Sequence, residues 1–244
     1  MADIYIFRRV EKKYRLKADL CAQFLQEIMP YLRPDEYGKS TVCSLYLDTP
    51  DRVLIRNSID AKGIEKVSYK EKLRIRSYGN ATAETKVFLE IKKKYKGVVY
   101  KRRERTTWEK ALRYLETREK PLQSQIMEEI DYAMSYYGHV SPAMYVACER
   151  VAYVVKENPN LRITFDTMVR ARDTRLSLSE GCDGDLLLPA DEVLMEIKTE
   201  GAMPLWLAHA LDKYRIFPTS FSKYGTAHLR SLIPETENKE PLWV

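Results

Sequence analysis

The chain has 244 residues, 45% of them hydrophobic, with 41 Lys and Arg against 35 Asp and Glu for a net charge of +6. That apolar fraction can bury a sizeable core and excludes a disordered chain, while the modest charge excess makes the placement of cations more informative than their number. No run of 18 apolar residues exists, so no membrane span is expected, and the start Met-Ala-Asp-Ile-Tyr-Ile-Phe-Arg-Arg lacks the basic-then-apolar order of a signal peptide.

Residues 4–16 alternate as a strand, with Arg9, Glu11 and Lys13 on one face and Val10 and Lys12 on the other. A helix is expected over 17–31, where Leu20, Phe24, Ile28 and Tyr31 recur at helical spacing, Asp19 suits the first turn, and Pro30 and Pro34 close it. The 42–48 stretch sets Cys43, Leu45 and Leu47 against Ser44, Tyr46 and Asp48, and Thr49-Pro50-Asp51 turns the chain. A strand over 67–76 carries Lys72, Arg74 and Arg76 on one face and Leu73 and Ile75 on the other. Residues 87–105 read as a hairpin broken at Lys96-Gly97. Val87, Leu89 and Ile91 share one face of it; Phe88, Glu90, Lys92 and Lys94 share the opposite one, while Lys93, Lys96 and Arg102 are expected as solvated or rim charges.

Two helices follow. Thr106 or Thr107 caps the first, which buries Ala111, Leu112 and Leu115; the second spans 123–137, buries Ile126, Ile130, Met134 and Tyr137, and ends at Gly138. Strands return at 143–156 with Arg150, at 161–170 with Arg162, Thr164 and Asp166 on one face, and at 192–199 with Glu196 and Lys198 facing away from Val193, Met195 and Ile197. Pro204 opens a helix burying Leu207, Leu211 and Tyr214, and Ser222 caps a last helix running through 232. Residues 234–244 are expected to form a flexible tail on a single domain spanning 1–244. Cys21, Cys43, Cys148 and Cys182 lack metal-binding spacing and read as reduced thiols of a cytoplasmic protein.

Strand after strand pairs an apolar face with a face centred on Arg or Lys. A solvated antiparallel sheet explains one such strand, but its recurrence points to a barrel whose lumen is charged and whose apolar exterior is covered by helices. The expected fold class is therefore α+β: an antiparallel β-barrel or tunnel with a charged lumen and helices packed on the outside. Crowded cations repel one another unless carboxylates intersperse them or a polyanion binds; Glu11, Glu90, Asp166 and Glu196 supply the carboxylates. Arg suits bidentate phosphate contacts and Lys point-charge ones, so the chemistry favours an oligophosphate ligand. The inward spread of the cations, with no exposed patch of stacking aromatics, argues against nucleic acid.

The chain resembles the polyphosphate polymerase (VTC) domain family, within the CYTH-like triphosphate tunnel metalloenzymes. The matching segments are Lys13-Tyr14, Arg74-Ile75-Arg76, Val87-Phe88-Leu89-Glu90-Ile91-Lys92, Arg150-Val151-Ala152-Tyr153, Arg162-Ile163-Thr164-Phe165-Asp166-Thr167, Glu196-Ile197-Lys198 and Phe221-Ser222-Lys223-Tyr224. The resemblance implies transfer of the ATP γ-phosphate to a growing inorganic polyphosphate chain with Mn²⁺ or Mg²⁺, and binding of triphosphate or pyrophosphate. It implies that Lys13, Arg74, Arg76, Lys92, Arg150, Arg162 and Lys198 do the catalytic phosphate-holding. Ser222, Lys223, Glu90 and Tyr153 would contact substrate, and Glu196 and Glu11 would ligate the metal. One departure stands out: the family's ExExK strand has Arg9 in place of its first Glu. Two alternatives stay open, a triphosphatase and a non-enzymatic polyanion-binding module.

Overall fold

The computed structural model describes residues 10–59, 69–95 and 98–232. Its strands are β1 (Val10–Lys17), β2 (Leu32–Asp48), β3 (Tyr69–Tyr78), β4 (Lys86–Tyr95), β5 (Val98–Thr107), β6 (Ser141–Val155), β7 (Arg162–Arg172), β8 (Asp185–Leu186) and β9 (Glu192–Thr199). Its helices are α1 (Ala18–Ile28), α2 (Val53–Ile59), α3 (Trp108–Thr117), α4 (Gln125–Tyr136), α5 (Leu205–Lys213) and α6 (Lys223–Ser231). Among these residues no helix is long and apolar enough to cross a membrane.

The strands form one antiparallel sheet in the order β1-β9-β7-β6-β2-β3-β4-β5, with β8 paired to β7. No backbone pairing joins β1 to β5 among the described residues. The sheet nevertheless curls until side chains from its two flanks meet: Lys92 on β4, the strand next to the β5 edge, lies 3.5 Å from Glu11 on β1. The result is a tunnel whose wall, among the described residues, has one seam.

Alternation along the strands produces both surfaces. On the outer face, Tyr14, Leu16, Ile163, Phe165, Val193, Met195 and Ile197 pack with Phe24 and Ile28 of α1 and Leu207 and Leu211 of α5. Around the wall, Cys43, Leu45, Leu47, Leu73, Ile75, Val87, Leu89 and Ile91 pack with Trp108, Ala111 and Tyr114 of α3 and Met127, Ile130 and Met134 of α4. A third cluster lies on the inner face, where Val42, Tyr46, Met144, Val146 and Cys148 meet Ile55 of α2 and Tyr224 and Ala227 of α6. Four helices thus cover the outside, and α2 and α6 fill part of the lumen.

Two elements depart most from the sequence expectation. Strand β2 begins at Leu32, ten residues before the expected start, because its pairing with β6 breaks between Pro34 and Lys39 and hides the alternation there. Gly38 takes a positive φ of 46° in that break, a conformation glycine adopts without a Cβ penalty. Helix α2, only seven residues long, was not expected; about two turns leave too little periodicity to read. Asp48 organises it. Its Oδ1 accepts from the backbone N–H of Leu54 at 2.9 Å, and its Oδ2 accepts from Ile55 N–H at 3.0 Å and from the Tyr224 hydroxyl at 2.8 Å. The expected strand residues 4–9, including Arg9, the strand start at 67–68, the Lys96-Gly97 turn and the 234–244 tail lie outside the described residues.

Candidate functional site: a cation-lined tunnel

The inner face of β3 presents Lys72, Arg74 and Arg76 in file, two residues apart. Opposite them in register on β4 stand Lys92, Glu90 and Phe88. Arg74 donates to Glu90 at 2.6 Å, and Lys101 on β5 reaches the other oxygen of the same carboxylate at 2.7 Å. Glu90 is only 3% exposed. Burial opposes its charge, but Arg74, Arg76 and Lys101 outweigh that and hold its carboxyl well below the usual carboxylate range. Glu90 was expected to contact substrate. An ionised carboxylate clamped by two cations repels phosphate, so Glu90 instead braces the side chains that would bind it.

A second brace sits on the far wall. Arg150 of β6 makes a bidentate pair with Asp166 of β7, at 2.6 and 2.7 Å. Lys223, at the first position of α6, donates to the same carboxylate. Asp166 is fully buried, and Lys223 and Arg150 keep it ionised against that burial. Its partner Lys223 is held protonated, its pKa raised despite desolvation. Helix α6 therefore enters the lumen with its N-terminus fixed. Ser222 caps it by accepting from Gly225 N–H at 3.1 Å, and the same hydroxyl accepts from Lys72 at 3.0 Å. The helix start adds backbone donors and the positive dipole end to the cation cluster.

The third wall is β1 with β9. Lys13 is cross-strand to Glu196, and Glu11 to Lys198. Lys198 lies 3.1 Å from Glu196, Lys13 lies 3.7 Å from Glu11, and Lys13 also donates to the Phe221 carbonyl at 2.8 Å. Glu11 and Glu196 are diagonal neighbours on the paired strands. Arg162 on β7 pairs with Asp35 at 2.8 Å, at the break in β2. The Thr164 hydroxyl, two residues on and cross-strand to Glu196, is buried without a hydrogen-bond partner among the described residues.

The structure thus gathers Lys13, Arg74, Arg76, Lys92, Arg150, Arg162, Lys198, Ser222, Lys223, Glu196 and Glu11 around one lumen. Tyr153 does not join them. It is three residues from Arg150, an odd interval that turns it to the outer face, where it packs edge-on against Phe165 at 6.1 Å. The expected substrate contact of Tyr153 is corrected to outer-layer packing.

Lys101 and Arg103 line the lumen unannounced. Strand β5 is charged on both faces, so no apolar stripe marks which way it turns; Arg102 and Glu104 face outward, to Glu129 and Ser124 of the α4 region. Lys93 likewise pairs outward with Glu129 at 2.6 Å, so it and Arg102 are ion-paired wall charges and not free solvated ones. Crowding marks the lumen lysines. Burial, with other cations nearby, lowers Lys72 to about 8; Lys101, more open at 42% side-chain exposure, is lowered in the same direction. Tyr46, cross-strand to Arg74, is lowered to about 8, because Arg74, Lys72 and Arg76 outweigh its burial.

Two carboxylates, each flanked by lysine, are the oxygen donors available to a divalent ion. Among the described residues no group of three or more His, Cys, Asp or Glu could hold a metal alone. Hard oxygen donors on Glu11 and Glu196 fit Mg²⁺ or Mn²⁺ only when phosphate oxygens and water complete the shell.

A family model described as the VTC domain matches residues 8–231. The curated proteins contain no match to the chain. Among solved structures, a Bacillus halodurans protein described as a candidate adenylate cyclase matches with TM-score 0.55 and 11% identity, over 90% of this chain and 96% of its own. A Hippeastrum protein, a candidate adenylyl cyclase with a dominant triphosphatase activity, matches with TM-score 0.55 and 16% identity, over 94% of this chain and 100% of its own. At these identities the likeness is one of fold.

Proposed function

Since the chain belongs to the VTC domain family and has the triphosphate-tunnel fold, we propose that it is a polyphosphate polymerase that moves the γ-phosphate of ATP onto a growing polyphosphate chain. The observation that carries this reading is the convergence of Lys13, Arg74, Arg76, Lys92, Arg150, Lys198 and Lys223 on one lumen, from three walls and a helix N-terminus. Phosphoryl transfer needs alignment and charge neutralisation more than a covalent catalyst. A tunnel of fixed cations supplies both, and it holds donor and acceptor phosphates in one line.

In the reaction, the bond between the γ-phosphorus and the β,γ-bridging oxygen breaks as a terminal oxygen of the acceptor chain bonds to that phosphorus. ADP leaves with the bridging oxygen. Arg74 and Arg76 sit side by side to grip neighbouring phosphates, and Arg150 and Lys223, steadied by Asp166, face them across the lumen. Negative charge grows on the leaving oxygen, and preorganised guanidinium and ammonium groups stabilise it without reorganising. Glu196 and Glu11 would hold a divalent ion, whose chemistry would be to neutralise further charge on the phosphates. Among the described residues no free carboxylate base stands beside the cations, since Glu11, Glu90, Asp166 and Glu196 all carry cationic neighbours within 4 Å. That favours transfer to phosphate over activation of water.

The test is purified protein incubated with ATP and Mn²⁺, with products resolved on a gel. A polyphosphate ladder is expected. Orthophosphate as the only product would replace this reading with a triphosphatase, and absence of turnover with triphosphate still bound would leave a binding module.

A further inference from the structure

We propose that Tyr37, Tyr78 and Phe88 form a seat for the nucleobase of the nucleoside triphosphate donor, at the rim of the tunnel beyond Arg76. The inference rests on the reading of ATP as donor and adds to it where the base goes.

Strand β3 continues on the same face from Arg76 to Tyr78, and Arg76 is cross-strand to Phe88. The Tyr78 and Phe88 rings meet edge to face at 6.2 Å. Tyr37 lies in the break of β2, where its ring stacks on Tyr78 at 5.5 Å and 4°. Arg103 of β5 sits 4.8 Å over the Phe88 ring. Asp35, two residues before Tyr37, is tied to Arg162, so the break is anchored to the tunnel wall at two points.

These rings differ from the other inner-face aromatics. Tyr46 and Tyr224 stack on each other at 4.6 Å and are almost wholly buried, which packing explains. Tyr37 is 50% exposed, and Phe88 and Tyr78 are partly open. A phosphate chain has no apolar surface, so open rings add nothing to its binding. A purine has two π-faces. Laid on the open face of Tyr37 it would extend the Tyr78–Tyr37 stack, and the Arg103 guanidinium beside Phe88 offers a cation to the same ring system. Same-face neighbours on a strand are about 7 Å apart. Tyr78 therefore lies one such step from Arg76 and two from Arg74, which suits a nucleotide whose terminal phosphates lie at Arg74 while its base reaches the rim.

The experiment titrates ATP and inorganic triphosphate, under the same metal conditions, into the wild type, Tyr37→Ala, Tyr37→Phe and Phe88→Ala. Each Ala variant is expected to weaken ATP by about 5- to 50-fold, the range for loss of one stacked ring, and to leave inorganic triphosphate within about twofold. Tyr37→Phe, which keeps the ring, should bind ATP as the wild type does. Equal losses for both ligands would make the rings structural and overturn the inference. Unchanged ATP affinity in both Ala variants would also overturn it. A wild type that binds inorganic triphosphate but not ATP would overturn the donor reading and the seat together, while leaving the tunnel as a phosphate site.

Discussion

Arg74 and Arg76 share a strand and a face, yet substitution should separate them. Like-charge crowding read from the sequence suggests that Arg74→Ala leaves the melting temperature unchanged or higher. Glu90 reverses that expectation: it is buried and accepts from Arg74, so removing Arg74 leaves a buried carboxylate with Lys101 as its remaining direct partner. Arg74→Ala should cost about 1–3 kcal/mol of stability as well as turnover. Arg76 has no carboxylate within ion-pair distance among the described residues, and its one hydrogen bond, to Ser44, is long at 3.4 Å. Burial and Arg74 both disfavour its charge. Arg76→Ala should therefore abolish turnover while thermal melting stays level or rises; a drop matching that of Arg74→Ala would refute the distinction. Alternation along the chain indicated which residues face the lumen. Which cation shares which carboxylate depends on cross-strand register, and no local pattern encodes that.

At the scale of one element, α6 joins capping to binding through Ser222. Asp is as good an N-cap as Ser, and at this position it would also pair with Lys72. Ser222→Asp should keep or raise the melting temperature yet weaken inorganic triphosphate binding by at least tenfold, since it adds a fixed negative charge at the lumen. Retained affinity would mean that α6 caps the lumen without touching ligand. Gly225→Ala is the converse case: a Cβ there would stand 3.1 Å from both Cβ and Oγ of Ser222, so it should disturb the cap and lower both stability and affinity. The cap at Ser222 was legible because a serine precedes a clear helical run. So was β9, whose bounds match expectation at both ends. Strand β5 was only half legible: its extent could be read but its inward face could not, for want of an apolar side. Helix α2 was illegible because Asp48, the residue that holds it, reads equally well as the end of a strand.

For the molecule as a whole, the crowded lysines couple pH to both folding and binding. In the unfolded chain Lys72 and Lys101 stay protonated until about pH 10; in the folded chain both are lowered, Lys72 to about 8. Between those limits the unfolded state binds more protons, so stability rises with pH. Tyr46, lowered to about 8, acts in the same direction. The ligand-free protein should therefore melt at higher temperature at pH 8.5 than at pH 6.5, whereas triphosphate affinity should fall over the same interval. Binding at pH 8 should take up protons, visible as a calorimetric heat that changes with the buffer's ionisation enthalpy. A melting temperature that falls across this window would contradict the assignment of depressed lysines.

Among the described residues, the unpaired seam between β1 and β5 gives the tube a slot. A ladder of main-chain hydrogen bonds secures every other join between neighbouring strands, but across the slot the described contact reaches from Glu11 on β1 past β5 to Lys92 on β4, a partly exposed ion pair that salt screens. Ionic strength therefore acts on the container as well as on its contents: it weakens the hold on phosphate and loosens the slot together. Amide hydrogen exchange in β1 and β5 should quicken as salt is added, while β2 and β6, paired on both sides, keep their protection.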